Sequence, residues 1–314
     1  MRTVFFGTPA FAVPALDALA DISEVVGVVC QPDQPRGRGL ELTPPPVKAR
    51  ALERGLEVVQ PTKFRSGDFP EWFAAKNADV AIVIAYGRIL PESILATPRL
   101  RCVNLHASLL PKYRGAAPIT WSIVRGETET GFTLMQMDAG MDTGAMLATW
   151  KVTIGENETA SELSERLSAL GATVVREGLP AYAAGKYTAV AQDDAQATTA
   201  PLLRKEDGTI DFSKRVQAVH DHIRGMNAWP GAFTRHRGKV VKVHSAHIFA
   251  ASGLRGAPGE VVLADKKHIV VACGSEQERG FIELTRVQLE GKKAVTGSEW
   301  FGGRGVAVGD ILAP

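Results

Sequence analysis

Cysteine is scarce in this chain of 314 residues: Cys30, Cys102 and Cys273 are an odd number, far apart, with no Cys-x-x-Cys pair. A disulfide framework or a thiolate zinc site is therefore not expected, and a reducing, cytoplasmic setting is. Histidine is missing from the first 200 residues except for His106, and no His-Glu-x-x-His occurs, so a catalytic metal is not expected either. No apolar run approaches the roughly 18–20 residues that cross a membrane. The opening Met1-Arg2-Thr3-Val4-Phe5-Phe6-Gly7 enters a strand pattern at once and lacks the apolar core and cleavage site of a signal peptide. The glycine-rich phosphate motifs are incomplete. Gly126 and Gly131 have Walker-like spacing, but Phe132-Thr133 stands where Lys-Ser/Thr is required. Gly7-Thr8-Pro9 lacks the later glycines of a dinucleotide fingerprint. Ser108 lies between Ala107 and Leu109, which excludes a nucleophile elbow.

What the chain has is ordinary globular material, 45% hydrophobic and 22% charged, in a length that suits two domains. The front alternates strand and helix patterns. Thr3–Gly7, Glu24–Cys30, Asp79–Ala85 and Leu100–Ala107 read as strands, with helices at Ala10–Ala20, Lys48–Arg54 and Phe69–Lys76 between them. The near-continuous Val/Ile run at 79–85 marks a strand covered on both faces, hence a doubly wound, mostly parallel α/β sheet. Gly131–Met137 and Ala145–Ile154 read as an antiparallel pair around a turn, and Glu158–Gly178 as a long helix. Residues 188–201 show no period, are small and polar, and end in Pro201, which predicts a linker between domains at 1–187 and 202–314. Beyond it, a helix at Lys214–Met226 and five short strands with glycine turns predict a small OB-like barrel.

Net charge is +2, unevenly spread. Residues 201–314 carry 17 Lys and Arg against 12 Asp and Glu, a net +5, while the first 200 carry 19 against 22. Nine of the cations fall within 204–242 against four acids, with His220, His222 and His236 among them. A solvated helix face has the same composition, but a basic surface of this kind also suits a polyanion. Lys205, Lys214, Arg215, Arg224, Arg235 and Lys239 are its candidate phosphate contacts.

The most informative stretch is Asn104-Leu105-His106-Ala107-Ser108-Leu109-Leu110-Pro111-Lys112-Tyr113-Arg114-Gly115. Asn104 and His106 are two residues apart, so on a strand they share a face, and strand ends are where α/β sheets place ligands. A histidine satisfied within the core is the bland alternative. Two further loops accompany it. Gln31–Gly39 is irregular, and Arg36 and Arg38 suit it to anions, although a solvated loop reads the same way. Met137-Asp138-Ala139-Gly140-Met141-Asp142-Thr143-Gly144 is a turn whose aspartates would ordinarily form Asx turns.

Together these segments resemble the folate-dependent formyltransferases. Phe6-Gly7-Thr8-Pro9-Ala10-Phe11-Ala12, Gln31-Pro32-Asp33 with Gly37-Arg38-Gly39, and Phe212 with Asn227-Ala228-Trp229-Pro230 narrow the resemblance to the methionyl-tRNA formyltransferase branch, over nearly the whole chain. It implies formyl transfer from 10-formyltetrahydrofolate to the methionine amine of initiator methionyl-tRNA, by a monomer without a metal. The family's catalytic trio falls on Asn104, His106 and Asp142, its folate strip on Ser108, Leu109, Leu110 and Pro111, and its tRNA-sensing arginine on Arg38. Spacing does not choose between Asp138 and Asp142; the resemblance selects Asp142. Family members often carry lysines after the loop arginine, where this chain has Leu40-Glu41-Leu42. Formyltransferases of small amines, such as glycinamide ribonucleotide or an amino-sugar nucleotide, share the catalytic loop, and a noncatalytic RNA-binding protein is the rival of another class.

Overall fold

A computed structural model describes residues 1–36, 41–303 and 305–313, without the side chain of Arg36. The chain forms two compact units, the first comprising Met1–Pro118, Thr130–Val152 and Ser164–Pro201, the second Ile119–Glu129, Thr153–Leu163 and Leu202–Pro314. These differ from the boundaries expected from sequence. The stretch 188–201 falls within the first unit, and two pieces of the front half pack with the second.

In the first unit, β1 (Arg2–Gly7), α1 (Val13–Ile22) and β2 (Glu24–Val29) open a doubly wound sheet. The short pair β3 (Gln34–Arg36) and β4 (Glu41–Thr43) follows, then α2 (Pro46–Glu53), β5 (Val58–Val59) and α3 (Phe69–Ala75). Next come β6 (Val80–Ile84), α4 (Glu92–Leu95), β7 (Cys102–His106), β8 (Arg114–Gly115) and α5 (Pro118–Val124). The last elements are β9 (Glu129–Gln136), β10 (Met146–Thr153), α6 (Ala160–Ala183) and β11 (Thr199–Ala200).

The sheet order is β10-β9-β7-β6-β1-β2-β5. Its β1, β2, β5, β6 and β7 pair in parallel, and β9 runs antiparallel to β7. Gln136 bonds Ala145 while Gly131 abuts Trp150, so β9 and β10 are also antiparallel. This is the mostly parallel architecture the Val/Ile runs predict. All five residues of β6 are buried because both faces are covered. On one face Phe6 meets Phe69, Phe73 and Tyr86 edge-on, at centroid separations of 6.4, 5.6 and 5.4 Å. On the other, α6 lies over Leu105 and Phe132 through Gly171.

The second unit holds α7 (Val216–Gly225), β12 (Phe233–His236), β13 (Lys239–Ile248), β14 (Val261–Ala264), β15 (Ile269–Cys273) and β16 (Gly280–Leu289). It ends with β17 (Val295–Thr296), α8 (Gly297–Gly302) and β18 (Leu312–Ala313). The order β14-β15-β16-β13-β12-β18 is antiparallel throughout. Its ends meet: Leu312 N–H donates to Gly259 O and Val261 N–H to Asp310 O, each at 2.8 Å. The sheet thus curls into an OB-like barrel and leaves little open edge. The five strands read from sequence are all present. The two-residue β17 and β18 carry no period long enough to read.

The core of this unit gathers Phe212, Val219, Ile223, Val241, Val271, Ile282 and Trp300, with Trp121 and Val124 packed against it. Helix α7 also buries His220, and the neighbouring His222 is largely withdrawn from water. Loss of hydration pushes both imidazoles below their ordinary value of 6.5, and His220 Nδ1 and His222 Nε2 have no hydrogen-bond partner among the described residues. A native imidazole kept neutral while the unfolded chain binds a proton makes stability rise with pH. Stability should therefore be full above about pH 6.5 and fall progressively below it. Urea midpoints at pH 7.5, 6.5 and 5.5 check this, and a His220→Gln/His222→Gln variant should show a flatter acid slope.

Candidate active site

Strand β7 carries the site because its alternation sends two polar side chains one way. Cys102 belongs to the core on the α3 side and Leu105 meets α6, so Asn104 and His106 share the face of Cys102. Asn104 lies opposite Met135 and Val83, and His106 opposite Thr133. The two are neighbours at the carboxyl end of a central strand, as their spacing predicts.

His106 is buried, and its Nε2 lies 2.8 Å from the carbonyl oxygen of Tyr113. A carbonyl only accepts, so Nε2 carries the hydrogen and the lone pair of a neutral ring sits on Nδ1. Asp142 Oδ2 is 3.6 Å from that Nδ1, too long for a hydrogen bond and short enough to stabilise an imidazolium. The carboxylate is held from both sides. Gly115 N–H donates to Oδ2 at 2.9 Å, and Asn104 Nδ2–H to Oδ1 at 3.3 Å. Asp142 has a φ of 56°, in the left-handed region that Asp tolerates better than most residues. Asp138 does something different: its Oδ1 accepts from Gly140 N–H at 3.0 Å and Thr143 Oγ1 at 2.7 Å, an Asx turn. The geometry brings Asp142, and not Asp138, to His106 and Asn104.

The expected folate strip divides. Ser108 has no exposed surface, and its hydroxyl donates to Lys112 O at 2.7 Å. Leu110 is buried, and its N–H donates to the Thr133 hydroxyl, which itself donates to Ser108 O at 2.7 Å. In this conformation both side chains are turned into the protein, where they close the turn after the strand. Leu109 and Pro111 keep accessible surface.

Residues 188–201 are ordered against this turn. β11 pairs in parallel with β8, Tyr113 N–H donates to Thr198 Oγ1 at 2.9 Å, and Val190 bridges Met146. A side chain at Gly115 would meet Ala200 O at 2.6 Å, so only glycine lets the segments touch and still offers its N–H to Asp142. Gln192, Thr198, Thr133 and the backbone of Tyr113 and Gly115 therefore belong to the site. Sequence reasoning passes over them because these bonds bridge segments far apart in sequence and use backbone atoms, which carry no residue signature.

The candidate polyanion contacts also divide. Lys205, Lys214, Arg215, Arg235 and Lys239 are exposed, with Arg215 paired to Glu278 at 2.7 Å. Arg36 ends β3, and Arg38 lies outside the described residues. Arg224 is not a surface contact. It is 7% exposed, bonds Asp221 at 2.7 Å, and donates to Glu158 O at 2.8 Å and Gly155 O at 3.2 Å. The helical stripe that reads as basic turns this guanidinium inward because Asp221 and two carbonyls of 153–163 await it. His220, His222 and His236 add no exposed charge there: His220 and His236 are buried, and His236 bonds Asp310 at 3.0 Å. Among the described residues there is no group of three or more His, Cys, Asp or Glu placed to hold a metal, and no helix long and apolar enough to cross a membrane.

A doubly wound sheet ending in an amide, an imidazole and a carboxylate, with an OB-like barrel after it, defines an enzyme of the formyl transferase class. Residues 1–179 match the formyl transferase family model, and residues 202–305 match that of the formyl transferase C-terminal domain. The methionyl-tRNA formyltransferase of Sorangium cellulosum (strain So ce56) is 54% identical over 313 residues, 99% of each chain, and that of Myxococcus xanthus (strain DK1622) is 46% identical over 98% of this chain and 96% of the relative. The chain belongs to the methionyl-tRNA formyltransferase family. The crystal structure of WlaRD, a sugar 3N-formyl transferase in the presence of dTDP and 5-N-formyl-THF, shares the fold at a TM-score of 0.67 and 17% identity, covering 93% of this chain and 99% of that one.

Arg224→Ala would strand the buried Asp221 carboxylate and should cost about 3–5 kcal/mol. Lys214→Ala, on the exposed face, should change stability by no more than about 0.5 kcal/mol. Urea denaturation of the two variants checks the contrast.

Proposed function

We propose that this protein transfers the formyl group of 10-formyltetrahydrofolate to the α-amino group of methionine on initiator methionyl-tRNA, in the cytoplasm, for translation initiation. The observation that carries this reading is the anchoring of His106 Nε2–H on Tyr113 O, which leaves Nδ1 facing Asp142 as a proton acceptor beside the Asn104 amide. The identity to methionyl-tRNA formyltransferases along the full chain supports the choice of amine.

An α-amine has an ordinary pKa of about 7.7–8.0, so it must shed a proton to attack. The ammonium proton leaves to solvent; as the free amine then forms the new N–C bond at the formyl carbon, His106 Nδ1 takes one of its remaining N–H protons and Asp142 stabilises the imidazolium. The second N–H of Asn104 Nδ2 donates to the oxyanion of the tetrahedral adduct, a contact worth roughly 2.7–4 kcal/mol in comparable sites. His106 then returns its proton to the tetrahydrofolate nitrogen as the old N–C bond breaks. No covalent enzyme intermediate is needed. Leu109 and Pro111 offer apolar surface beside the trio for the folate. Lys205, Lys214, Arg215, Arg235 and Lys239, with Arg36 and Arg38 of the front loop, supply cations for tRNA phosphates.

His106→Ala should lower kcat by about 10²–10⁴-fold and Asn104→Ala by about 10²–10³-fold with folding intact, read by mass spectrometry of formyl-methionyl-tRNA. Near-normal turnover of either would remove it from the mechanism. Formylation of an amino-sugar nucleotide but not of charged tRNA would overturn the substrate. Binding of tRNA should weaken steeply with salt, and Lys214→Ala and Lys239→Ala should each lower the slope of log K against log [salt] by about 1. A flat salt response would remove the barrel from the tRNA site.

A further inference from the structure

We infer that Gln192 is a positioning residue for formyl transfer, acting through Asp142; this rests on the catalytic reading just given. Gln192 Nε2 donates to two carbonyls of the catalytic turn, Asp142 O and Gly144 O, both at 2.8 Å. Its Oε1 accepts from Arg114 Nε at 2.9 Å. Two acceptors on one side and a cation on the other leave a single orientation for the amide, because the flipped side chain would set Oε1 against both carbonyls. Arg114 is itself tied to Asp194 Oδ1 at 2.7 Å. The segment bearing Gln192 is pinned upstream by the Met146–Val190 bridge and downstream by β11 on β8. Gln192 is thus a rigid clamp, fixed at both flanks and at its oxygen.

What it clamps needs clamping. Asp142 has a left-handed backbone at φ 56°, and such a conformation persists at a non-glycine residue only when its surroundings dictate it. The carboxylate has partners in Asn104 and Gly115, but neither fixes the peptide that carries it. Gln192 holds the carbonyl of Asp142 itself. Releasing it frees the turn to relax toward ordinary φ values, which would swing the carboxylate away from His106 Nδ1. Apart from Arg114, which fixes its oxygen, Gln192 reaches only carbonyls of the turn, so its effect on chemistry passes through Asp142.

The test is a double-mutant cycle on the full chain with 10-formyltetrahydrofolate and charged initiator tRNA. Gln192→Ala should lower kcat by about 10–100-fold while KM for both substrates stays within about two-fold. In an Asp142→Asn background the same change should cost less than about two-fold, since residues acting as one unit are not additive. Gln192→Glu, which keeps shape and the Arg114 contact but turns an oxygen on the carbonyls, should match Gln192→Ala and covers the case in which the smaller variant folds poorly. Multiplicative losses, or a KM effect without a kcat effect, would overturn the positioning role and leave the formyltransferase reading standing. Near-normal turnover of Asp142→Asn alone would remove the catalytic assignment and this inference with it.

Discussion

The hydrogen bond from His106 Nε2 to the carbonyl of Tyr113 governs what the rest of the site can do. It fixes the tautomer, and the tautomer decides which nitrogen faces the carboxylate. With the hydrogen held at Nε2, Nδ1 and Asp142 Oδ2 present two acceptors to each other across 3.6 Å, a pairing that only a proton can relieve. Tyr113 can offer its carbonyl because its own φ is 63°, in a turn held by the Tyr113 N–H donating to the Thr198 hydroxyl.

A second constraint is that residues 138–144, which carry Asp142, supply no buried hydrophobic to the core. Loops of this kind are held by bonds rather than burial. Here those bonds come from Gln192 and from Gly115 through its backbone, while Thr198 and the short β11 hold the segment that carries Gly115. In the barrel unit a comparable device is electrostatic: Arg224 answers Asp221 and two carbonyls of 153–163 inside the core. Such a buried cation reports the packing of the unit and contributes nothing to a polyanion-binding face.

Periodicity carried most of the fold. A continuous run such as Val80–Ile84 can only be a strand covered on both faces, and the alternation along 239–248 and 280–289 marks half-covered barrel strands. Pairs and triplets, among them β3, β8, β11 and β18, escaped because two or three residues hold no period. The stretch 188–201 read as a linker for the same reason, although it lies ordered against β8 and the turn that carries Asp142.

For the site, local sequence was enough to place Asn104 beside His106, since a strand's two-residue repeat is a property of the backbone alone. The chain also announced a carboxylate in the 137–144 turn. It did not contain the choice between Asp138 and Asp142, the burial of Ser108, or the inward turn of Arg224. Each of those depends on a partner from another part of the chain: Gly115 beside Asp142, Thr133 on Ser108, and the carbonyls of Gly155 and Glu158 for Arg224. Sequence encodes which groups a residue can bond. Distance selects among them, and distance exists once the chain has folded.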